Sequence, residues 1–460
     1  MSVQASHLSF AYGEGAHSVL DDLSVTLNRK DISLIIGNTG EGKSTFLYLA
    51  AGLYPHYAGI QKSGTVTVEN EDLGEMDPSE RCRIAGMMFQ NPDLQFCMDT
   101  VFNEMVFCLE NIREDPSCFP PRIEEALQFC GIPHLRNRKL STLSGGEKQK
   151  VVLACLLLLK PKWIFLDEPF ASIDSASRRF LVEKLKKIHR EYGIGIVAVD
   201  HHPENWADAA DAVYRMSGGK LHEDSLDSLQ EVPAYSSEKT DQPFGDAVLQ
   251  IQDVSVWHDN PKCPVLAEVN IAVHQGRSYA VLGESGSGKS SLFGAILGLY
   301  LYKGTILFRN HDIRKQRSHL NGAIGMITQS PQDQFIGGTV KDEVSAVFSK
   351  DADPEHKIEE ILKSCGLWKY RNHSPYQLSH GQQRRLAAAT MINSHCNLLL
   401  CDEPTCAQDP ESAGIIMTNL LHQARLNRIA LVFSTHEQEI ADTFADEIWM
   451  IEDRTLVRKR

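Results

Sequence analysis

Hydrophobic positions along this chain fall into two alternating kinds of segment, and the whole series occurs twice. Ile32–Ile36, Trp163–Leu166 and Val197–Val199 are short runs apolar at nearly every position, with counterparts at Tyr279–Leu282, Leu398–Cys401 and Leu431–Phe433. Such runs suit strands buried on both faces of a parallel sheet. Leu8-Ser9-Phe10-Ala11-Tyr12 and Leu23-Ser24-Val25-Thr26-Leu27 instead alternate, which predicts antiparallel strands with one wet face. Between the runs lie helix-like stretches, FLYLAAGL from Phe46 and KQKVVLACLLLLK from Lys148. Thr100 and Thr339 stand as N-caps before polar and acidic first turns. Ala212–Leu221, with Ser217-Gly218-Gly219 inside it, reads as a hairpin.

Repetition sets the domain organisation. Gly37 and Gly283 are 246 residues apart, Gln90 and Gln329 are 239 apart, and Ser144/Ser379, Asp167/Asp402, Asp174/Asp409 and His201/His436 are each 235 apart. Two short deletions in the second copy account for that drift, and a period near 240 is a whole domain rather than a solenoid unit. The expected division is residues 1–225, a polar linker over 226–246 with two prolines, and residues 247–460. Each half is expected to be α/β, with a mostly parallel core.

Composition narrows the picture. Over 460 residues the formal charge is −14, which argues against a general nucleic-acid binder. The longest apolar run, Val151–Leu159, has nine residues, well short of the roughly 18 needed to cross a bilayer. Strand-like sequence begins almost at residue 1, so no signal peptide is expected. The 11 cysteines are scattered without a C-x-x-C pair, which reads as reduced thiols.

The candidate chemistry lies where the buried runs end. Gly37-Asn38-Thr39-Gly40-Glu41-Gly42-Lys43-Ser44-Thr45 matches G-x-x-x-x-G-K-[ST] between a strand-like run and a helix-like segment. It returns as Gly283-Glu284-Ser285-Gly286-Ser287-Gly288-Lys289-Ser290-Ser291. In such a loop backbone N–H groups wrap a phosphate chain and the next helix directs its positive end at the same anion. Lys43 and Lys289 would reach the β- and γ-phosphates, and the Ser44 and Ser290 hydroxyls would take places on Mg²⁺. A nucleoside triphosphate site is therefore expected in each copy. Gln90 and Gln329 follow apolar runs and precede loops, where an amide can ligate Mg²⁺ or simply be a polar loop residue. Ser144-Gly145-Gly146 and Ser379-His380-Gly381 precede long helical patterns and form further anion-binding helix termini. Asp167-Glu168 and Asp402-Glu403 end buried runs, where Asp can hold hydrated Mg²⁺ and Glu can polarise the attacking water. His201 and His436 end two further strand-like runs as candidate γ-phosphate contacts. Tyr12 could stack on adenine or be an ordinary strand tyrosine; His258 holds the equivalent place.

These motifs, in this order and in both halves, resemble ATP-binding cassette (ABC) nucleotide-binding domains: Walker A, Q-loop, signature, Walker B, D-loop and switch histidine. The resemblance implies two P-loop NTPase domains, each with an antiparallel β subdomain and a helical subdomain, paired head to tail. It implies a first ATP site of Gly37–Thr45, Gln90, Asp167, Glu168 and His201 with Ser379 and Gly381. The second would join Gly283–Ser291, Gln329, Asp402, Glu403 and His436 to Ser144, Gly145 and Gly146. QNPDLQFCMDTV and QSPQDQFIGGTV look like ATPases of energy-coupling-factor importers of vitamins and transition-metal ions. That likeness implies ATP, Mg²⁺, a membrane scaffold protein and a substrate-binding membrane protein as partners, and a peripheral place on the cytoplasmic face of the cell membrane. The C-terminal extension of many separate ATPases of that group is not expected here. A soluble twin-cassette translation factor of the ABC-F type, or a ribose-type twin-cassette importer, is the alternative. The first usually has a long basic linker and the second a degenerate second P-loop, whereas Lys289, Ser290 and Glu403 are all present.

Overall fold

The computed structural model describes all residues except 171–174, 231–234, 236–244, 258–262, 285, 316–321, 349–353, 379, 393–395, 407 and 460, and the side chains of 175, 176, 230, 348, 380 and 392. The chain divides into two compact units, Met1–Pro233 and Ala234–Arg460. Within the segment 226–246, Leu226–Gln230 forms a 3-10 turn of the first unit and Tyr235 packs against Phe444 of the second, ring centroids 5.8 Å apart.

The first unit contains β1 (Ser2–Ala11), β2 (Leu20–Asn28), β3 (Ile32–Ile36), β4 (Ile60–Val68), β5 (Ala85–Met88), β6 (Trp163–Asp167), β7 (Gly195–Val199), β8 (Ala212–Ser217) and β9 (Lys220–Asp224). A six-stranded sheet runs β5-β6-β7-β3-β8-β9, parallel except for the final β8–β9 hairpin, and a separate antiparallel sheet runs β2-β1-β4. The continuous apolar runs are explained by packing on both faces. From β3, Ile32, Leu34 and Ile36 join the core under the helical layer, whereas Ile35 joins the core beneath the antiparallel sheet with Phe46 and Leu47. On β6, Ile164 and Leu166 take the helical side, and Trp163 and Phe165 the other. Each such side chain, fully buried, contributes roughly 1.5–3 kcal/mol.

The second unit repeats the plan with β10 (Ala247–Val256), β11 (Leu266–His274), β12 (Ser278–Leu282), β13 (Tyr302–Phe308), β14 (His311–Asp312), β15 (Ile324–Ile327), β16 (Leu398–Cys401), β17 (Ala430–Thr435), β18 (Glu447–Glu452) and β19 (Thr455–Arg458). Its sheets run β15-β16-β17-β12-β18-β19 and β11-β10-β13-β14. Each half is thus the α/β architecture read from the sequence. Among the described residues no helix is long and apolar enough to cross a membrane.

This strand order places the chemistry. In the first unit β6, β7 and β3 are neighbours and parallel, so their carboxyl ends open side by side, carrying Asp167, His201 and the glycine-rich loop. In the second unit β16, β17 and β12 do the same for Asp402, His436 and Gly283. Loops at the carboxyl ends of a parallel sheet are where such folds bind ligands.

Candidate functional site

The glycine-rich loop of the first unit turns from β3 into the helix Lys43–Ala50. Gly42 caps that helix with φ of 99°, a left-handed conformation that glycine adopts without strain. A Cβ there would lie 2.8 Å from Leu20 Cδ2, and one on Gly37 would lie 2.6 Å from the Met216 carbonyl oxygen. The Lys43 ammonium folds back over the loop, donating to the carbonyls of Gly37 at 2.7 Å and Asn38 at 2.8 Å. Glu41 turns aside and accepts the Gly218 N–H at 2.8 Å. Tyr12, just beyond β1 and 52% exposed, shares a 2.8 Å hydrogen bond with the Thr45 hydroxyl. It keeps an open ring beside the loop instead of lying within a strand.

Around this loop the other predicted residues converge. The Ser44 hydroxyl donates to Asp167 Oδ1 at 2.7 Å, and the Tyr48 hydroxyl donates to Asp167 Oδ2 at 2.7 Å. Glu168 accepts from the Gln90 amide at 2.5 Å and meets His201 Nε2 at 2.8 Å. Burial and the charge of Glu168 push the Asp167 carboxyl up to about 6, against the hydrogen bonds from Ser44 and Tyr48 and the charge of Lys43. Glu168 has a φ of 46°, and its counterpart Glu403 has the same 46°. A left-handed non-glycine residue costs on the order of 1–2 kcal/mol, and this one aims each carboxylate across the sheet's carboxyl edge in both halves. Ser144 caps the helix Gly145–Leu159 in a reciprocal box with Glu147, so its hydroxyl and the first helical residues Gly145 and Gly146 belong to that helix terminus.

In the second unit Gly288 caps the helix Lys289–Ile296 with φ of 109°. Lys289 donates to the carbonyls of Gly283 at 2.8 Å and Glu284 at 3.0 Å, and its ammonium lies 3.2 Å from Glu403. His436 is 3.7 Å and the Gln329 amide 3.5 Å from the same carboxylate. Burial pushes the Glu403 carboxyl up, but His436 and the Lys289 ammonium outweigh it and bring it down to about 2. Asp402 is held from the neighbouring strand, accepting the Ser434 hydroxyl at 2.6 Å, and Ser434 in turn accepts the Glu403 N–H at 2.9 Å. Gly286, Ser287, Ser290 and Ser291 complete the loop and the first turn of its helix. Gly381 lies in the first turn of the helix His380–Ile392. Ser285, His258, Ser379 and Asp174 lie outside the described residues, as does the His380 side chain. Asp409 ends the loop before the helix Pro410–Leu426 and caps that helix by accepting the Ser412 N–H.

Sequence reasoning missed several side chains that hold the site. Tyr48 follows Ser44 by one helical turn, and that i, i+4 spacing was the available signal. Ser434 lies in a buried apolar run with nothing to mark it. Arg384 donates to the Glu403, Pro404 and Gln329 carbonyls, tying the Walker-B turn of the second half to its glutamine loop. Buried Glu104 accepts the Cys97 and Met98 N–H groups at 2.9 and 2.8 Å, and Glu343 does the same for Ile336 and Gly337.

Fold and site together define a duplicated P-loop nucleotide-binding protein. The model of the ABC transporter family matches residues 20–171 and 266–406, and the chain belongs to that family. A Bacillus subtilis protein, provisionally named HMP/thiamine import ATP-binding protein YkoD, is 30% identical over 98% of this chain and 89% of its own length. A protein of Saccharolobus solfataricus, provisionally named as an ABC transporter ATP-binding protein, is 31% identical over 94% of this chain and 90% of its own. Among solved structures, archaeal ABCE1 from a ribosome-bound model with Pelota superposes with a TM-score of 0.71 at 18% identity, covering 98% of this chain and 78% of that one, which is a likeness of fold. The protein is an ABC transporter ATP-binding protein, and ATP hydrolysis is the chemistry of its family.

Proposed function

We propose that this chain is the ATP-hydrolysing subunit of an importer of the energy-coupling-factor type, working at the cytoplasmic face of the membrane through a membrane scaffold protein and a substrate-binding membrane protein. The observation that carries the reading is near full-length similarity to a protein named for HMP/thiamine import, in a chain with Lys, Asp, Glu and His present in both halves. The cargo is a vitamin or a transition-metal ion, and the same likeness supports the vitamin class.

The first-half residues fit Mg²⁺·ATP. Ser44, Asp167 and Gln90 offer the hard oxygen donors that Mg²⁺ takes, and Ser290, Asp402 and Gln329 do so in the second. Bound Mg²⁺ would supply charge neutralisation on the phosphates. Lys43 and Lys289 bind the phosphate chain, and Tyr12 offers a ring to the base, with His258 in its place in the second half. Glu168 and Glu403 each orient the attacking water and accept its proton, while His201 and His436 hold those carboxylates and contact the γ-phosphate. Ser144, Gly145, Gly146, Ser379 and Gly381 serve as phosphate-binding helix termini. The −14 charge and the short, non-basic 226–246 segment weigh against a ribosomal role.

Co-purification from detergent-solubilised cells tests this reading. The expected result is recovery of a small hydrophobic scaffold and a substrate-binding membrane protein. Recovery of ribosomes in their place would overturn it in favour of the translation-factor alternative.

A further inference from the structure

The two halves hold their Mg²⁺-binding aspartate by different means. In the first, Asp167 takes a hydrogen bond on each oxygen, from Ser44 and from Tyr48, both on the helix Lys43–Ala50. Adding the 246-residue offset to Tyr48 gives Gly294, so the second half has no side chain at that place. The vacated volume is filled by Tyr300: a Cβ on Gly294 would lie 2.3 Å from the Tyr300 ring. The corresponding first-half residue, Tyr54, instead stacks on Phe10 at 5.6 Å and meets Tyr48 edge-on at 5.2 Å. The second half orients Asp402 through Ser434 on β17, where the first half has Val199 on β7. One aspartate is thus gripped from the helix after the loop, the other from the adjacent strand.

We propose that Tyr48 is a positioning residue for the Mg²⁺-binding carboxylate of the first half, with Ser434 as its replacement in the second, so that the two halves set their Mg²⁺ dependence through unrelated side chains. This rests on the reading of Asp167 and Asp402 as part of the Mg²⁺ sites. The geometry gives the reason. A carboxylate beside Mg²⁺ must present a fixed oxygen, and two donors on two oxygens remove the freedom of Asp167 to rotate. Tyr48 is the donor in the 2.7 Å bond from its hydroxyl to Asp167 Oδ2. Its ring also meets Phe89 at 5.7 Å, directly before Gln90, so the same side chain braces the start of the glutamine loop. Ser434 couples differently, because its hydroxyl joins the Asp402 carboxylate to the Glu403 N–H.

The test uses the full chain and a fluorescent N-methylanthraniloyl-ATP probe titrated with MgCl₂. Lys289→Ala confines binding to the first half and Lys43→Ala to the second. In the Lys289→Ala chain, Tyr48→Phe keeps the ring and its aromatic contacts but loses the hydroxyl. The expected result is a rise of about tenfold in the half-saturating Mg²⁺ concentration, the order of one hydrogen bond to a charged group, with probe affinity in EDTA unchanged. In the Lys43→Ala chain Tyr48→Phe should have no effect, and Ser434→Ala should produce the corresponding rise. An unshifted Mg²⁺ midpoint in Tyr48→Phe, or an equal loss of affinity with and without Mg²⁺, overturns the proposal. If Mg²⁺ fails to strengthen binding even before Tyr48 is changed, the Mg²⁺ reading of Asp167 itself is at fault.

Discussion

Asp200, one residue past β7, is a buried carboxylate whose hydrogen bonds are local: Oδ1 accepts the His202 N–H at 2.9 Å and Oδ2 accepts the Trp206 indole N–H at 2.8 Å. Burial pushes its carboxyl above the ordinary range, against the charge of His202 and those two hydrogen bonds. The folded chain therefore keeps a proton that the unfolded chain has already lost, and Asp200 lowers stability progressively as pH rises from near 4 through its folded-state value. Above that value the penalty is complete. Asp200→Asn carries no such titration. Urea denaturation of both proteins between pH 4 and 7 should show the stability of the parent relative to Asp200→Asn falling as pH rises. A constant difference would contradict the assignment. Residue-scale chemistry was legible in the sequence only where a motif fixes spacing. Lys43, Asp167, Glu168 and His201 could be named because each stands at a fixed place relative to a strand end. Tyr48 and Ser434 could not, because whether a side chain reaches Asp167 depends on how the helix after the loop rotates and which strand lies beside β6 or β16.

At the scale of elements, the strands were legible because a sheet packed on both faces forces continuous apolar runs, as at Ile32–Ile36. The caps at Thr100, Ser144 and Thr339 were legible because they obey local hydrogen-bond rules. The segment after each glutamine was not, because its conformation is imposed from the following helix. Glu104 is 4% exposed in the first turns of the helix Val101–Asn111, and its carboxylate closes the turn at Cys97 and Met98. Glu343 repeats the arrangement, so charge in an otherwise apolar turn serves loop geometry in both halves. Glu104→Ala leaves two backbone N–H groups without their acceptor and should destabilise the first half by about 3 kcal/mol, measured as a shift in its urea transition. A change within about 0.5 kcal/mol, the range of an ordinary surface substitution, would show that the turn holds itself.

For the molecule as a whole, duplication was the clearest signal in the sequence, and the two units do carry the same strand order around the same six-stranded sheet. The halves are not identical in their chemistry. Glu168 meets His201 and Gln90 closely, whereas Glu403 sits 3.2 Å from the loop lysine and farther from its histidine and glutamine. None of these differences removes a lysine, aspartate, glutamate or histidine from either set, so both halves are expected to turn over. The direct measurement is steady-state ATP hydrolysis by the parent chain, Glu168→Gln, Glu403→Gln and the double variant, with bound nucleotide counted in each. Both single changes should lower the rate, and the double change should reduce it by about a hundredfold or more, in keeping with loss of a general base, while two ATP molecules stay bound per chain. A single variant with the full parental rate, or a double variant that keeps a rate within about tenfold of the parent, would contradict two catalytic halves.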